Sequence, residues 1–222
     1  MNPLSHVAFI MDGNGRWGKK KKKNRNYGHL KGVETVKKIV KASIKIKIPI
    51  LTFYVFSSEN WKRPKEEINY LLKLIRIYFL KEIKNIQKQG IKLNILGELD
   101  KLSPEIRNVL KKSVSVTNKN KNIIVNLAIN YGSKNEIILA FKKIKKNTNI
   151  KNFEKNLYTK QMPFPDILIR TGGHQRLSNF MLWQLAYTEL FFLKKLWPDF
   201  TSNDLMRVID KYKKIKRNFG KV

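Results

Sequence analysis

His6-Val-Ala-Phe-Ile-Met-Asp-Gly-Asn-Gly-Arg-Trp17 is the stretch that decides the fold. Residues 6–11 are a short apolar run and read as a strand. Asp12-Gly13-Asn14-Gly15 ends the run in a turn. Between residues 28 and 47, Val33, Val36, Val40 and Ile44 recur at helical spacing. Strand, glycine-rich turn and helix in that order open an α/β unit.

The alternation continues outward from there. Residues 50–56 are β-branched and aromatic, a buried strand. Residues 65–89 predict a long amphipathic helix with Ile68, Leu71, Leu72, Ile75, Phe79, Ile83 and Ile86 inward, stopped by Gly90. Strands are expected at 91–96, 123–129, 167–170 and 190–193. Helices are expected at 104–118, with Ser103 as N-cap and Pro104 first, at 133–146 and at 202–217. The pattern implies one α/β domain with a mostly parallel sheet flanked by helices. Ligands in such sheets bind beyond the carboxyl ends of the strands, here residues 12–17, 57–63, 131–132 and 171–178.

The chain has 222 residues, 42% of them hydrophobic, enough to bury a sizeable core. It has no cysteine, which excludes disulfides, a cysteine nucleophile and thiolate metal sites. No apolar run is long enough to span a membrane and no secretory signal is evident, so a cytoplasmic protein is expected. The loudest feature is a formal net charge of +31. It calls for an anionic partner: nucleic acid, membrane headgroups or phosphorylated substrates. Yet 38 of the 47 basic residues are Lys, and Lys, Ile and Asn share AT-rich codons, so most of the charge reads as genomic drift. The nine arginines carry more information.

Several fall in polar clusters at the predicted strand ends. Gly13, Asn14, Gly15 and Arg16 suit an anion, while Asp12 beside them suits a divalent cation that binds carboxylate and phosphate together. Read alone, Asp-Gly-Asn-Gly is also an ordinary turn. Arg25 and His29 stand at the start of the next helix and could face a phosphate. Ser57-Ser58-Glu59-Asn60-Trp61-Lys62-Arg63 has the length and polarity of a mobile lid. Arg170, Arg176 and Ser178 flank a Gly-Gly turn and form a second anion pocket. Glu189 is a candidate second carboxylate. Two anion pockets beside amphipathic helices point to two phosphorylated substrates, one of them with an apolar tail.

These segments, with Trp197-Pro-Asp-Phe200, resemble the cis-prenyltransferases, most nearly the bacterial undecaprenyl diphosphate synthases, across nearly the whole chain. The resemblance implies a homodimer whose subunits each carry a six-stranded parallel sheet and a hydrophobic tunnel. It implies elongation of farnesyl diphosphate by isopentenyl diphosphate with cis double bonds, to a long-chain, undecaprenyl-type product for cell-wall lipid carrier synthesis. Carried over by position, Gly13, Asn14, Gly15 and Arg16 hold the allylic diphosphate, helped by Arg25 and His29, and Trp17 is a further substrate-binding residue. Asp12 is catalytic and binds Mg²⁺, with Glu189 as the second metal carboxylate. Arg170, Arg176, Leu177 and Ser178 match the isopentenyl site. Asn60 matches the proposed proton acceptor, with Ser57, Ser58, Glu59, Trp61 and Arg63 around it. The tunnel is expected between strand 50–56 and helices 65–89 and 104–118. His174 stands where relatives usually carry Glu, and Asn218-Phe219-Gly220 where they carry Arg-x-Gly. Two other readings are a non-catalytic partner subunit, which would typically lack Asp-Gly-Asn-Gly, and a nucleic-acid-binding protein. Peripheral contact with an anionic membrane would use the lysines; nucleic acid is not an expected partner.

Overall fold

The computed structural model describes residues 4–144 and 149–218. In chain order the elements are β1 (His6–Ile10), α1 (Asn14–Lys20), α2 (Arg25–Lys45), β2 (Ile50–Ser57), α3 (Lys65–Lys88), β3 (Ile91–Leu96) and α4 (Pro104–Thr117). Then come β4 (Ile123–Tyr131), α5 (Ser133–Lys142), α6 (Ile150–Glu154), β5 (Ile167–Arg170), β6 (Glu189–Phe192) and α7 (Ser202–Lys213). The six strands form one sheet in the order β3-β4-β2-β1-β5-β6, and every neighbouring pair is parallel.

Strand alternation divides the two faces. Val7, Phe9, Leu51, Phe53, Val125 and Leu127 meet residues of α2, α3, α4 and α7 in the larger core. Phe9 stacks on Phe53 at 5.0 Å, and Trp197 meets both edge-on. Ala8, Ile10, Ala128 and Leu168 pack on Phe180, Met181 and Leu185 on the other face.

That second face also carries a buried polar row across four strands. Asn94 Nδ2 donates to Asn126 Oδ1 at 3.0 Å, and Asn126 Nδ2 donates to Thr52 Oγ1 at 2.9 Å. Thr52 Oγ1 lies 2.7 Å from His6 Nε2, and His6 Nδ1 lies 2.8 Å from the Pro163 carbonyl. A carbonyl only accepts, so Nδ1 carries the proton and Nε2 accepts from Thr52. Each group donates to the next, and none in the row is left unpaired.

Helix α1 was not expected from the sequence. It begins immediately after Gly13, whose φ of 110° is left-handed and suits a residue without Cβ. Its seam with α2 is made of glycines. A Cβ on Gly28 would overlap the Asn14 carbonyl oxygen, and one on Gly18 would overlap the Asn24 carbonyl oxygen. The short helix α6 was also unexpected. Within residues 57–64, Ser58–Lys62 is a 3-10 turn closed by a capping box between Ser57 and Asn60. Ser103 precedes α4, but its side chain makes no capping bond. The helix expected at 133–146 ends at Lys142, and residues 145–146 lie outside the described residues. The closing helix ends at Lys213, so Arg217 lies beyond it, donating to Tyr212 at 2.9 Å and to the Tyr187 carbonyl at 2.7 Å.

Candidate active site

The carboxyl ends of β1, β2, β4 and β5 converge where the strand order reverses. β1 lies between β2 and β5, and the chain leaves it toward one side and returns on the other. Asp12 sits just past β1. One of its oxygens meets Arg16 Nη2 at 3.1 Å and the other meets Arg170 Nη2 at 3.0 Å, with His174 Nε2 4.0 Å away. Arg170 is 4% exposed. Its Nη1 donates to Ser178 Oγ at 2.8 Å and to the Arg176 carbonyl, while its Nε has no partner. Arg170 is thus fixed between the Asp12 carboxylate and the Ser178 hydroxyl at the strand end. Ser178 and Asn179 both have left-handed backbone, at φ 50° and 60°, in the turn that carries the Ser178 hydroxyl to Arg170. The Arg176 guanidinium is exposed and has no ion pair among the described residues, and Leu177 packs on the second core face.

A second cluster of bases stands at the starts of α2 and α3. Arg25 Nε and Nη2 donate to the two oxygens of Glu67 at 2.9 and 3.1 Å. Arg63 Nη1 reaches the same carboxylate at 3.0 Å and His29 Nε2 at 3.2 Å. The Glu67 side chain is 9% exposed. Burial pushes its carboxyl up, but the Arg25 hydrogen bonds and the charges of Arg25 and Arg63 outweigh it, and the carboxyl sits below its usual range. Burial holds His29 below its ordinary value despite Glu67, so a neutral ring donates Nε2–H to the carboxylate. Sequence reasoning named Arg25, His29 and Arg63 and missed the group that gathers them. Glu67 lies 42 residues from Arg25 and among the many charges of α3.

The 57–61 segment is tied to the turn that carries Ser178. Asn179 Nδ2 donates to Glu59 at 2.7 Å, and Ser58 Oγ lies 3.2 Å from the same carboxylate. Trp61 Nε1 donates to Asn130 at 2.8 Å. Asn60 Oδ1 accepts from the Ser57 N–H at 3.1 Å, so its oxygen is engaged by the turn. Trp17 turns to Asp199 at 2.7 Å and stacks on Tyr27.

Beside Asp12 opens an apolar cavity of about 750 Å³. Met11, Asn14 and His29 line its mouth. Its walls are α2, through Val36, Val40 and Ile44, and α3, through Leu71, Ile75 and Phe79; β4 contributes Val125, Leu127 and Ile129 to the floor. The second wall is therefore α2, not the expected helix 104–118, which contributes no lining residue. Asn14 Oδ1 is buried at this mouth without a partner.

Glu189 is placed elsewhere. β6 begins with it, level with Ile167, whereas Arg170 is level with Ile10 and Phe192. That puts it about 10 Å back along the strands from the Asp12 end, with Arg217 Nε at 3.7 Å. Within one chain Asp12 and Glu189 do not share a metal. Among the described residues no three His, Cys, Asp or Glu side chains form a metal cluster. The single Asp12 carboxylate, between Arg16 and Arg170, fits Mg²⁺, which takes one or two carboxylates and completes its shell with water and substrate phosphate.

The undecaprenyl diphosphate synthase (Prenyltransf) family model matches residues 10–220. The chain belongs to this family. It is an enzyme of the cis-prenyltransferase type, whose substrates are prenyl diphosphates. The isoprenyl transferase of Clostridium tetani is 44% identical over 231 residues, covering 100% of this chain and 91% of the relative. That of Helicobacter pylori is 44% identical, covering 99% and 97%. Among solved structures, lavandulyl diphosphate synthase from Lavandula x intermedia, in complex with dimethylallyl diphosphate, has a TM-score of 0.94 at 31% identity and 98% coverage of both chains. The probable undecaprenyl diphosphate synthase of Campylobacter jejuni has a TM-score of 0.86 at 33% identity and full coverage of both.

Proposed function

We propose that the protein extends farnesyl diphosphate with successive isopentenyl diphosphate units, each adding a cis double bond, to a long-chain polyprenyl diphosphate of undecaprenyl type. One observation carries the proposal: Asp12 with Arg16 and Arg170, and the Glu67 cluster of Arg25, Arg63 and His29, adjoin the residues Met11, Asn14 and His29 that lead into a cavity lined by hydrocarbon. The allylic diphosphate is assigned to Arg16, the backbone amides of residues 13–16, Arg25 and Arg63, with His29 beside them. Its prenyl tail enters the cavity. The isopentenyl diphosphate is assigned to Arg170, Arg176 and Ser178. Mg²⁺ would be held by Asp12 with diphosphate oxygens and, when bound, neutralises charge on the departing diphosphate.

In the reaction the allylic C–O bond breaks as the isopentenyl double bond attacks, and a proton leaves the adjacent carbon. The arginines hold the negative charge that builds on the leaving group. With its oxygen engaged by Ser57, Asn60 acts through its Nδ2–H, orienting the diphosphate oxygen that takes the proton. A cytoplasmic protein feeding cell-wall lipid carrier synthesis fits this chemistry, and no helix among the described residues is long and apolar enough to cross a membrane. A homodimer seated on the free edge of β6, where Tyr187 and Leu190 are exposed beside Glu189, would turn Glu189 toward the second chain.

The test is elongation of farnesyl diphosphate with labelled isopentenyl diphosphate. Mg²⁺-dependent chain growth is expected, abolished by Asp12→Ala and by chelation. Wild-type protein that folds but adds no isoprene unit refutes the proposal.

A further inference from the structure

The cavity is not closed between its two helical walls. Lys37, Lys41 and Lys45, one turn apart on α2, stand on one rim, and Glu82, Asn85 and Gln89 of α3 on the other. Lys37 meets Glu82 at 2.5 Å, while Lys41 and Lys45 have no ion pair among the described residues. Outside the rim α3 exposes Ile77 and Leu80, by 39% and 57%, among exposed Lys73, Lys81 and Lys84. Unpaired lysines beside exposed aliphatic side chains offer the two attractions that hold a protein on an anionic bilayer, charge on headgroups and apolar contact below them. The gap between the two helices is also the apolar way out for a chain that outgrows the cavity.

We propose that the α2–α3 rim docks the protein on an anionic lipid bilayer and passes the prenyl chain sideways into it. The proposal rests on reading the cavity as the prenyl tunnel. Nucleic acid is the poorer partner: its affinity comes from phosphate contacts, which give Ile77 and Leu80 nothing to bury against.

The experiment is co-sedimentation with vesicles in the absence of any prenyl diphosphate. The full chain should bind vesicles of phosphatidylcholine mixed with phosphatidylglycerol and not pure phosphatidylcholine. Lys41→Glu with Lys45→Glu should weaken partitioning about tenfold or more, since each lysine near such a surface is worth roughly a factor of five. Lys111→Glu with Lys112→Glu, the same charge change on exposed positions of α4, should leave it within about twofold on the same reasoning. The chain has no cysteine, so Ile77→Cys takes a polarity-sensitive fluorophore at one site. Its emission should shift to the blue on anionic vesicles, and that of a label carried by Lys112→Cys should not. Equal loss in both reversals, no shift at position 77, or a duplex DNA that binds as tightly and is lost with the same rim reversal overturns the proposal. Because no substrate is present, failed docking leaves the elongation reading standing, and failed elongation with intact docking removes the tunnel reading instead.

Discussion

Replacing Glu67 by Gln removes one negative charge and one acceptor from a carboxylate that receives four hydrogen bonds, from Arg25, His29 and Arg63. Losing a partner of a buried ion pair costs about 3–5 kcal/mol. Arg25 and Arg63 are 43% and 35% exposed, however, and water screens them, so about 2 kcal/mol is expected. For a chain of this size that lowers Tm by roughly 4–8 °C. The effect on farnesyl diphosphate is a contest. Deleting a negative charge behind the arginines gains at most about 1 kcal/mol at water-like dielectric. Two arginines that must then be ordered on binding lose up to about 2 kcal/mol each. Disorder wins, and affinity should fall about five- to tenfold, with isopentenyl diphosphate affinity unchanged. Titration calorimetry with each diphosphate alone, beside a thermal melt, reads all three quantities. A variant that melts at the wild-type temperature and binds farnesyl diphosphate as tightly or more tightly refutes the pre-organising role. The depressed Glu67 carboxyl contributes stability above its unfolded value, and that contribution is lost as pH falls through the folded value.

The buried His6, pushed down to about 4 by burial from 6.5, should make stability fall by about 3 kcal/mol between those pH values, because there the unfolded chain binds the extra proton. Urea midpoints against pH check this, and a flat profile above pH 4 refutes it. Gly28→Ala gains about 1 kcal/mol of helix propensity but forces a methyl onto the Asn14 carbonyl oxygen. An overpacking cost of up to about 3 kcal/mol should prevail, and a higher denaturation midpoint would count against the glycine seam. Val40→Phe narrows the cavity and should shorten the products resolved by chromatography. An unchanged chain-length distribution would mean that the prenyl chain grows elsewhere.

Much of the fold was legible because its strands are apolar runs bounded by turns. β3 and β5 fall at the expected residues, and α3 ends one residue early. Helix α1 was illegible because the positions it buries are Gly15 and Gly18, and a helix that packs through glycines shows no apolar stripe. The stripes of α2, α3 and α4 told which faces turn inward, not which two helices stand apart to leave a cavity. The 3-10 turn in residues 57–64 was not legible, because polar loop residues look alike until their bonds are known. Here Asn60 spends its carbonyl oxygen on the turn. The arginines stood out against a lysine-rich background, whereas the carboxylate that organises three of the bases was one acid among 16.

The row from Asn94 to His6 bears on the hydrocarbon side of the sheet as well. Side chains alternate along a strand, so a slip of one residue would turn Asn94, Asn126 or Thr52 toward the prenyl chain. Such a slip would leave the partners on the other face unpaired, a cost of about 1–3 kcal/mol for each group stranded. The row therefore works as a parity check on strand assembly: only one alignment satisfies it, and in that alignment the tunnel floor is all hydrocarbon. A protein that handles a chain with no polar atoms to recognise along its length keeps its polar residues accountable on the far side of the sheet.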